Sequence, residues 1–127
     1  MTNMNEPSDP SNPSDLAMLR DKLRVFAAER DWEQFHSPKN LSMALMVEVA
    51  ELMEHFQWLT EAQSAELPPD KQQEVSEELA DCLLYLVRLS DRLGVDLRAA
   101  ALHKLEKNAA KYPADRVRGS SKKYTEY

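Results

Sequence analysis

The sequence predicts an all-α protein whose subunit is a bundle of about four main helices. Glycine occurs only twice in 127 residues, whereas Leu, Ala, Glu and Lys are abundant, and this composition favours helix over sheet. Apolar residues also recur at helical spacing along much of the chain, and no internal repeat is visible. The length suffices for one domain with a hydrophobic core of its own.

The first helix should begin at Ser14, where a capping residue precedes an apolar pattern that repeats through Phe26. We expect this helix to end near Trp32. The preceding residues, 1–13, are polar and proline-rich, and they lack the apolar surface that ordering requires. The sequence therefore predicts a disordered N-terminal tail before the first helix.

The second helix should begin at Ser37, because a serine cap followed by Pro38 at the first helical position is a typical helix start. We expect it to run to about Leu59 and to be followed by a loop over residues 60–69. Its apolar seam consists of Leu41, Leu45, Val49, Leu52, Phe56 and Leu59.

The third helix should run to Leu93, where Gly94 is placed to end it. The stretch CLLYLV at residues 82–87 is apolar on almost every side, which predicts burial on every side. In so small a domain this indicates a subunit interface. The apolar seam consists of Val75, Leu79, Cys82, Leu86, Leu89 and Leu93.

The fourth helix should begin at Asp96, which can cap it, and should end near Lys111 because a proline follows. The remaining residues are basic and polar. We therefore expect a helical domain at residues 14–112 and a basic C-terminal tail at residues 113–127.

Composition also limits the classes of partner. The net charge of −6 disfavours binding to a nucleic acid polymer. No apolar stretch reaches membrane-spanning length, and the N-terminus lacks a basic segment followed by an apolar one. The single cysteine, Cys82, lies in an apolar helical run and predicts a buried core residue. We expect a cytoplasmic protein without a membrane partner.

Four carboxylates stand out on the second and third helices. Glu48 and Glu51 share one helix face because they are three residues apart, and the same holds for Glu78 and Asp81. Both pairs lie in apolar runs, so burial would bring like charges together and remove their hydration. A hard divalent cation relieves this repulsion, because Mg²⁺ prefers oxygen ligands. The sequence therefore predicts a metal site inside a helical bundle.

Three other interpretations remain open from the spacing alone. Both acidic stripes can be ordinary solvated helix faces, since such pairs are common on surface helices. The chain can be a noncatalytic helical oligomerisation module. It can also be a di-iron carboxylate bundle, although those sites use Glu-x-x-His pairs and His55 follows Glu51 by four residues.

The residues around these carboxylates resemble a known family. The runs MALMVEVAELMEHFQW and EELADCLLYLV are similar to the ExxE…ExxD signature of the MazG-like all-α nucleoside triphosphate pyrophosphohydrolases. The resemblance continues through FAAERDWEQFHSPKNL, VDL and KYPADRVRGSSKKYTE, which match the dCTP pyrophosphatase branch. It covers roughly residues 20–126.

This resemblance implies a reaction and an assembly. The four carboxylates would bind Mg²⁺, with Mn²⁺ as a substitute, and the metal would hold the triphosphate of a nucleoside triphosphate substrate. The products would be the monophosphate and pyrophosphate, with Glu48 or Glu51 as the base, and the preferred substrates would be dCTP and modified cytosine nucleotides. Subunits would form a homo-oligomer, a dimer or a tetramer built as a dimer of dimers, that cleans the nucleotide pool.

The resemblance also implies the residues that contact substrate. Two tryptophans match aromatic positions that enclose the base, a tyrosine matches a position beside the sugar, and two polar residues match contacts to phosphate and to the sugar or base. In that order these residues are Trp32, Trp58, Tyr85, Lys104 and Asn108.

Two positions depart from the vertebrate branch. Leu23 stands where that enzyme has a ligand-contacting histidine, which weakens the expectation of a strict dCTP preference. His55 stands where it has an apolar residue, and we expect it to fill space. His36 matches a histidine of the family and receives no assigned role.

Overall fold

The structure, a computed structural model, describes residues 14–126 and contains no β-strand in that range. The all-α fold class is therefore confirmed. The predicted tail at residues 1–13 lies outside the described residues. The α-helices are α1 (Asp15–Glu29), α2 (Pro38–Glu54), α3 (Glu61–Ala65), α4 (Pro69–Arg92), α5 (Leu97–Lys111) and α6 (Ala114–Val117), and short 3₁₀ turns occupy Glu33–Phe35 and Tyr124–Glu126.

Side-chain caps set the three predicted helix starts. The Ser14 hydroxyl accepts a hydrogen bond from the Ala17 amide at 3.2 Å, so α1 begins where expected. In the same way Ser37 caps α2 and Asp96 caps α5, each through the amide three residues on. These bonds satisfy amides that have no partner inside the helix.

The end of α1 differs from the prediction by three residues, because a capping motif stops the helix at Glu29. Asp31 adopts a left-handed backbone with φ of 54°. Its amide donates to the Ala28 carbonyl at 3.2 Å, and the Trp32 amide donates to the Ala27 carbonyl at 2.9 Å. This is the Schellman pattern, in which aspartate replaces the usual glycine.

The end of α2 also differs, since the helix stops at Glu54 and not near Leu59. The amides of His55 and Phe56 donate to carbonyls three residues back, which tightens the last turn. The predicted loop at residues 60–69 contains the short helix α3. A capping box between Thr60 and Gln63 accounts for it, because each residue accepts a hydrogen bond from the backbone amide of the other.

Among the described residues, the first compact unit runs from residue 14 to residue 94, and α4 packs there against both α2 and α1. Two of the predicted seam residues, Leu41 and Val75, are buried in its core. Other seam positions are not, since Leu79 is 54% exposed and Leu86 is 41% exposed. The seam of α4 is therefore only partly covered within one chain.

The second compact unit runs over the described residues 95–126 and contains α5 and α6. Helix α5 ends at Lys111, as the following proline predicts. Because α5 belongs to this second unit, the four-helix bundle and the domain limits at residues 14–112 stay predictions. None of the helices between residues 14 and 126 is both long and apolar enough to cross a membrane.

Candidate functional site

Three of the four predicted carboxylates meet between α2 and α4. Glu48 from α2 and Glu78 and Asp81 from α4 each place one oxygen within 4.8 Å of the others. The packing of α2 on α4 explains the meeting, because the three-residue spacing puts Glu78 and Asp81 on one face. Glu48 and Glu78 are half-buried, and Asp81 is exposed. We refer to these three residues as the acidic group.

Glu51, the fourth carboxylate, lies outside the acidic group and is exposed. Its charge helps to raise the pKa of Glu48, which shows that the two side chains are close. Within one chain, Glu51 and Asp81 are thus exposed, whereas Glu48 and Glu78 are half-buried. The packing of α2 on α4 covers only the inner member of each pair. A role for Glu51 in binding metal stays a prediction.

The electrostatics of the acidic group favour a bound proton or a bound cation. The pKa of Glu48 is raised from 4.5 to about 7, first by burial, then by a hydrogen bond with Glu78 and by the charges of Glu51 and Asp81. Burial, followed by the charges of Glu48, Glu78 and Asp81, raises the pKa of the Cys82 thiol. Without a cation, the group therefore keeps a proton near neutral pH, which indicates strong repulsion among its members.

The residues fit a hard divalent cation. One oxygen of Glu48 and one oxygen of Glu78, the Oε2 atoms, are buried without a hydrogen-bond partner in the described part of the chain. Buried polar atoms normally have a hydrogen-bond partner, so these two oxygens are available to bind a cation. Carboxylate oxygens suit Mg²⁺, and the acidic group contains no histidine, which disfavours the di-iron alternative.

His55, the departure on α2, lies outside the acidic group. Its Nδ1 atom is 3.8 Å from a Glu74 oxygen, and its side chain is mostly buried. This contact joins α2 to α4 beside the carboxylates. The mostly buried side chain agrees with the expectation that His55 fills space.

The two tryptophans predicted to enclose a base are both exposed. Trp58 follows the end of α2 and is 86% exposed, and Trp32 is 44% exposed. The Trp32 ring meets Phe26 edge-on with ring centroids 5.7 Å apart, and it meets His36 similarly at 6.3 Å. Trp58 is therefore not packed in the core of the single chain, and the roles of both indoles stay predictions. Tyr85 is half-buried on α4, one turn beyond Asp81.

Sequence reasoning missed a network of charged residues around His36. Arg88 Nε donates to His36 Nδ1 at 3.1 Å, and Arg92 Nε donates to the His36 carbonyl at 3.1 Å. Asp91 accepts a hydrogen bond from Arg24 Nε at 2.8 Å and lies 3.5 Å from Arg88 Nη1. Only the three-residue spacing of Arg88 and Asp91 was a signal in the sequence.

The two predicted polar contacts lie on α5, in the second unit. Lys104 is exposed, and Asn108 is half-buried. The Asn108 carbonyl accepts a hydrogen bond from the Tyr112 amide at 2.8 Å at the end of the helix. Their contacts with a ligand stay predictions.

Comparison with known proteins supports the resemblance drawn from the sequence. The sequence profile of the MazG-like family matches residues 43–127. Human dCTP pyrophosphatase 1 is 52% identical over 103 residues, which cover 80% of this chain and 61% of that protein. The bovine dCTP pyrophosphatase 1 is 45% identical over 118 residues, which cover 91% of this chain and 70% of that protein. The chain thus spans about three fifths of the human relative's length.

A solved structure is also similar. A pyrophosphatase from Archaeoglobus fulgidus superposes with a TM-score of 0.75 and is 38% identical, and the match covers 85% of this chain and 99% of that one. The family profile covers well over half of the chain, and the acidic group lies within the matched residues. The chain therefore belongs to the MazG-like family.

Proposed function

We propose that this protein hydrolyses deoxynucleoside triphosphates to the monophosphate and pyrophosphate in a Mg²⁺-dependent reaction. The acidic group carries the proposal, because it combines three converging carboxylates with two buried oxygens that lack partners. The human and bovine relatives named dCTP pyrophosphatase 1 support the reaction type and favour dCTP and modified cytosine nucleotides as substrates.

The acidic group would hold Mg²⁺, which neutralises phosphate oxygens and orients a water molecule when it is bound. The general base would be Glu48 or Glu51, and the position of Glu51 favours it for this role. It lies beside Glu48 but outside the acidic group, so it does not have to serve as a ligand. A base must lie within hydrogen-bond reach of the proton that it removes, directly or through one water.

The exposed indoles of Trp32 and Trp58 would stack on the base, which is worth about 1–3 kcal/mol per base. Stacking holds any base, so selectivity requires hydrogen bonds. Tyr85 would lie beside the sugar, Lys104 would contact phosphate and Asn108 would contact the sugar or base. Leu23 would leave the chain less selective for cytosine than the vertebrate enzyme.

The assembly would be a homo-oligomer, either a dimer or a tetramer built as a dimer of dimers. Helices α2 and α4 carry several large apolar side chains that one chain leaves exposed by 40–66%. Patches of this kind mark interfaces in soluble proteins. They are Met43, Met46, Val47, Val49, Met53, Leu79, Leu83 and Leu86.

The experiment is a screen of deoxynucleoside and modified nucleoside triphosphates with product chromatography. We expect pyrophosphate and monophosphate as the first products, and no activity in EDTA. Glu78→Gln should abolish turnover, whereas Glu77→Gln, an exposed neighbour outside the acidic group, should not. Orthophosphate and nucleoside diphosphate as first products would rule out the proposed reaction. If no nucleotide is hydrolysed and the thermal stability of the protein does not respond to Mg²⁺, the noncatalytic oligomerisation module is favoured.

A further inference from the structure

The segment that carries Trp32 is tied to α4 by two hydrogen bonds. Arg88 Nε donates to the His36 ring, and Arg92 Nε donates to the His36 backbone carbonyl, both at 3.1 Å. His36 closes the 3₁₀ turn Glu33–Phe35 that follows Trp32. The arginines therefore fix both the side chain and the backbone at one end of this short connection.

Arg88 is an unusual residue for such a tie, because it is a buried charge. It is only 5% exposed, and its Nη2 atom has no hydrogen-bond partner in the described residues. Asp91 lies 3.5 Å from Arg88 Nη1, and Arg24 of α1 donates in turn to Asp91. A buried guanidinium carries a desolvation penalty of several kcal/mol unless its partners compensate it. An apolar side chain would fill this buried position without that penalty, so packing does not explain the arginine.

The hydrogen bond fixes the chemical state of His36. Its Nδ1 atom accepts from Arg88, so the imidazole is neutral and carries its proton on Nε2. Burial and the charges of Arg88 and Arg92 lower the pKa of His36, which favours this neutral form. The lowered pKa of His36 therefore favours the form that accepts from Arg88.

The orientation of Trp32 depends on this His36 ring. The two rings meet edge-on with centroids 6.3 Å apart, and Phe26 contacts the indole in a similar way at 5.7 Å. The Schellman motif before Trp32 fixes its backbone. The Phe26 contact is supplied by the same helix as that motif, whereas the His36 contact depends on Arg88.

We propose that Arg88 is a positioning residue for nucleotide binding, which holds the Trp32 indole in place through His36. The inference rests on the proposed function, in which Trp32 stacks on the base. Asp81 and Arg88 are seven residues apart on α4, two helical turns or about 10 Å along the axis. Helix α4 thus sets the distance between the acidic group and Arg88, which holds Trp32 through His36.

Two variants of matched length separate the hydrogen bond from charge and packing. In Arg88→Gln the side-chain amide nitrogen occupies the same place along the side chain as Nε of arginine, so it can still donate to His36. Arg88→Met has similar length but no donor. Both variants lose the charge. We expect Arg88→Met to raise KM for dCTP about tenfold with kcat within about twofold, because the acidic group is untouched. Arg88→Gln should stay within about threefold of the parent in KM.

A second readout is independent of activity. The chain has two tryptophans, so a Trp58→Phe background leaves Trp32 as the only indole. Arg88→Met should increase the quenching of Trp32 fluorescence by acrylamide about twofold, and Arg88→Gln should not. Arg98→Met, which replaces an exposed arginine on α5, serves as the control and should change neither readout.

Equal effects of the two Arg88 variants on KM and on quenching would overturn the proposal, and so would an unchanged Trp32 in Arg88→Met. If Arg88→Met does not fold, Asp91→Asn provides the test, because it weakens the link between Arg24 and Arg88. It should increase quenching in the same direction by a smaller amount, and no change would overturn the proposal. Failure of the proposed function would show separately, as absence of pyrophosphate release by the parent protein.

Discussion

Replacing Glu48 by glutamine should stabilise the metal-free protein at alkaline pH while removing its response to Mg²⁺. The pKa of Glu48 is raised from 4.5 to about 7 in the folded chain. Below 4.5 the group is protonated in both states and has no effect on stability. Between 4.5 and 7 the unfolded chain loses the proton first, so the free energy of unfolding falls, and the full penalty is present above 7. Glutamine cannot ionise, so it avoids this penalty.

The magnitude follows from the rise in pKa. A rise from 4.5 to about 7 corresponds to at most about 3.5 kcal/mol, at about 1.4 kcal/mol for each pKa unit. Solvent screening at this half-buried site reduces the expected gain to about 1–2 kcal/mol. For a domain of this size the midpoint of thermal unfolding should rise by roughly 3–10 °C.

The assay is thermal unfolding followed by circular dichroism in EDTA, at about pH 8 and about pH 5, with protein concentration fixed. Glu48→Gln should gain stability at the higher pH and little at the lower pH. Glu77→Gln is the matched control on α4 and should resemble the parent at both. Added Mg²⁺ should raise the midpoint of the parent but not of Glu48→Gln. A Glu48→Gln variant less stable than the parent at pH 8 would refute the reasoning.

Four further results are expected. In kinetic assays, Asp81→Asn should lose most turnover while keeping its helical signal, and full activity would contradict the metal site. Trp58→Ala should raise KM for dCTP, dTTP, dUTP and dATP by similar factors, because stacking holds any base. Asn108→Ala should instead change the order of preference among the four nucleotides, because it removes a directional polar contact. Kinetics of Trp58→Ala equal to those of the parent would refute stacking. Leu84→Glu should dissociate or unfold the oligomer in light scattering, and a stable monomeric parent at micromolar concentration would contradict this. Asp31→Gly should keep the parent's midpoint within a few degrees while Asp31→Ala loses about 1 kcal/mol, because a left-handed backbone suits glycine.

The predicted helix starts agree with the structure because caps are local. Ser14, Ser37 and Asp96 each bond to an amide three residues away, so the information lies within one turn of sequence. The end of α1 was misplaced because its cap depends on a left-handed Asp31, and aspartate adopts that conformation only in some contexts. Helix α3 was missed because its five residues are too few to show an apolar period.

In the candidate site too, features that depend on contacts between distant residues could not be predicted from the sequence. The pairing of Glu78 with Asp81 on one face follows from helix geometry, and the sequence predicted it. The exposure of Glu51 did not follow, because it depends on how α2 is rotated against α4. The contact between Arg24 and Asp91 joins residues 67 positions apart, and no local pattern in one sequence indicates it.

The relative orientation of Asp81 and Arg88 depends on the number of residues between them on α4. Asp81 and Arg88 face the same way because seven residues make almost two complete turns. One inserted residue between them would rotate Arg88 by about 100° and shift it by about 1.5 Å, so Asp81 and Arg88 would no longer share a helix face. Seven inserted residues would nearly restore the phase and lengthen the spacing by about 10 Å. Small insertions between Asp81 and Arg88 are therefore expected to disrupt the site even where they leave the helix intact.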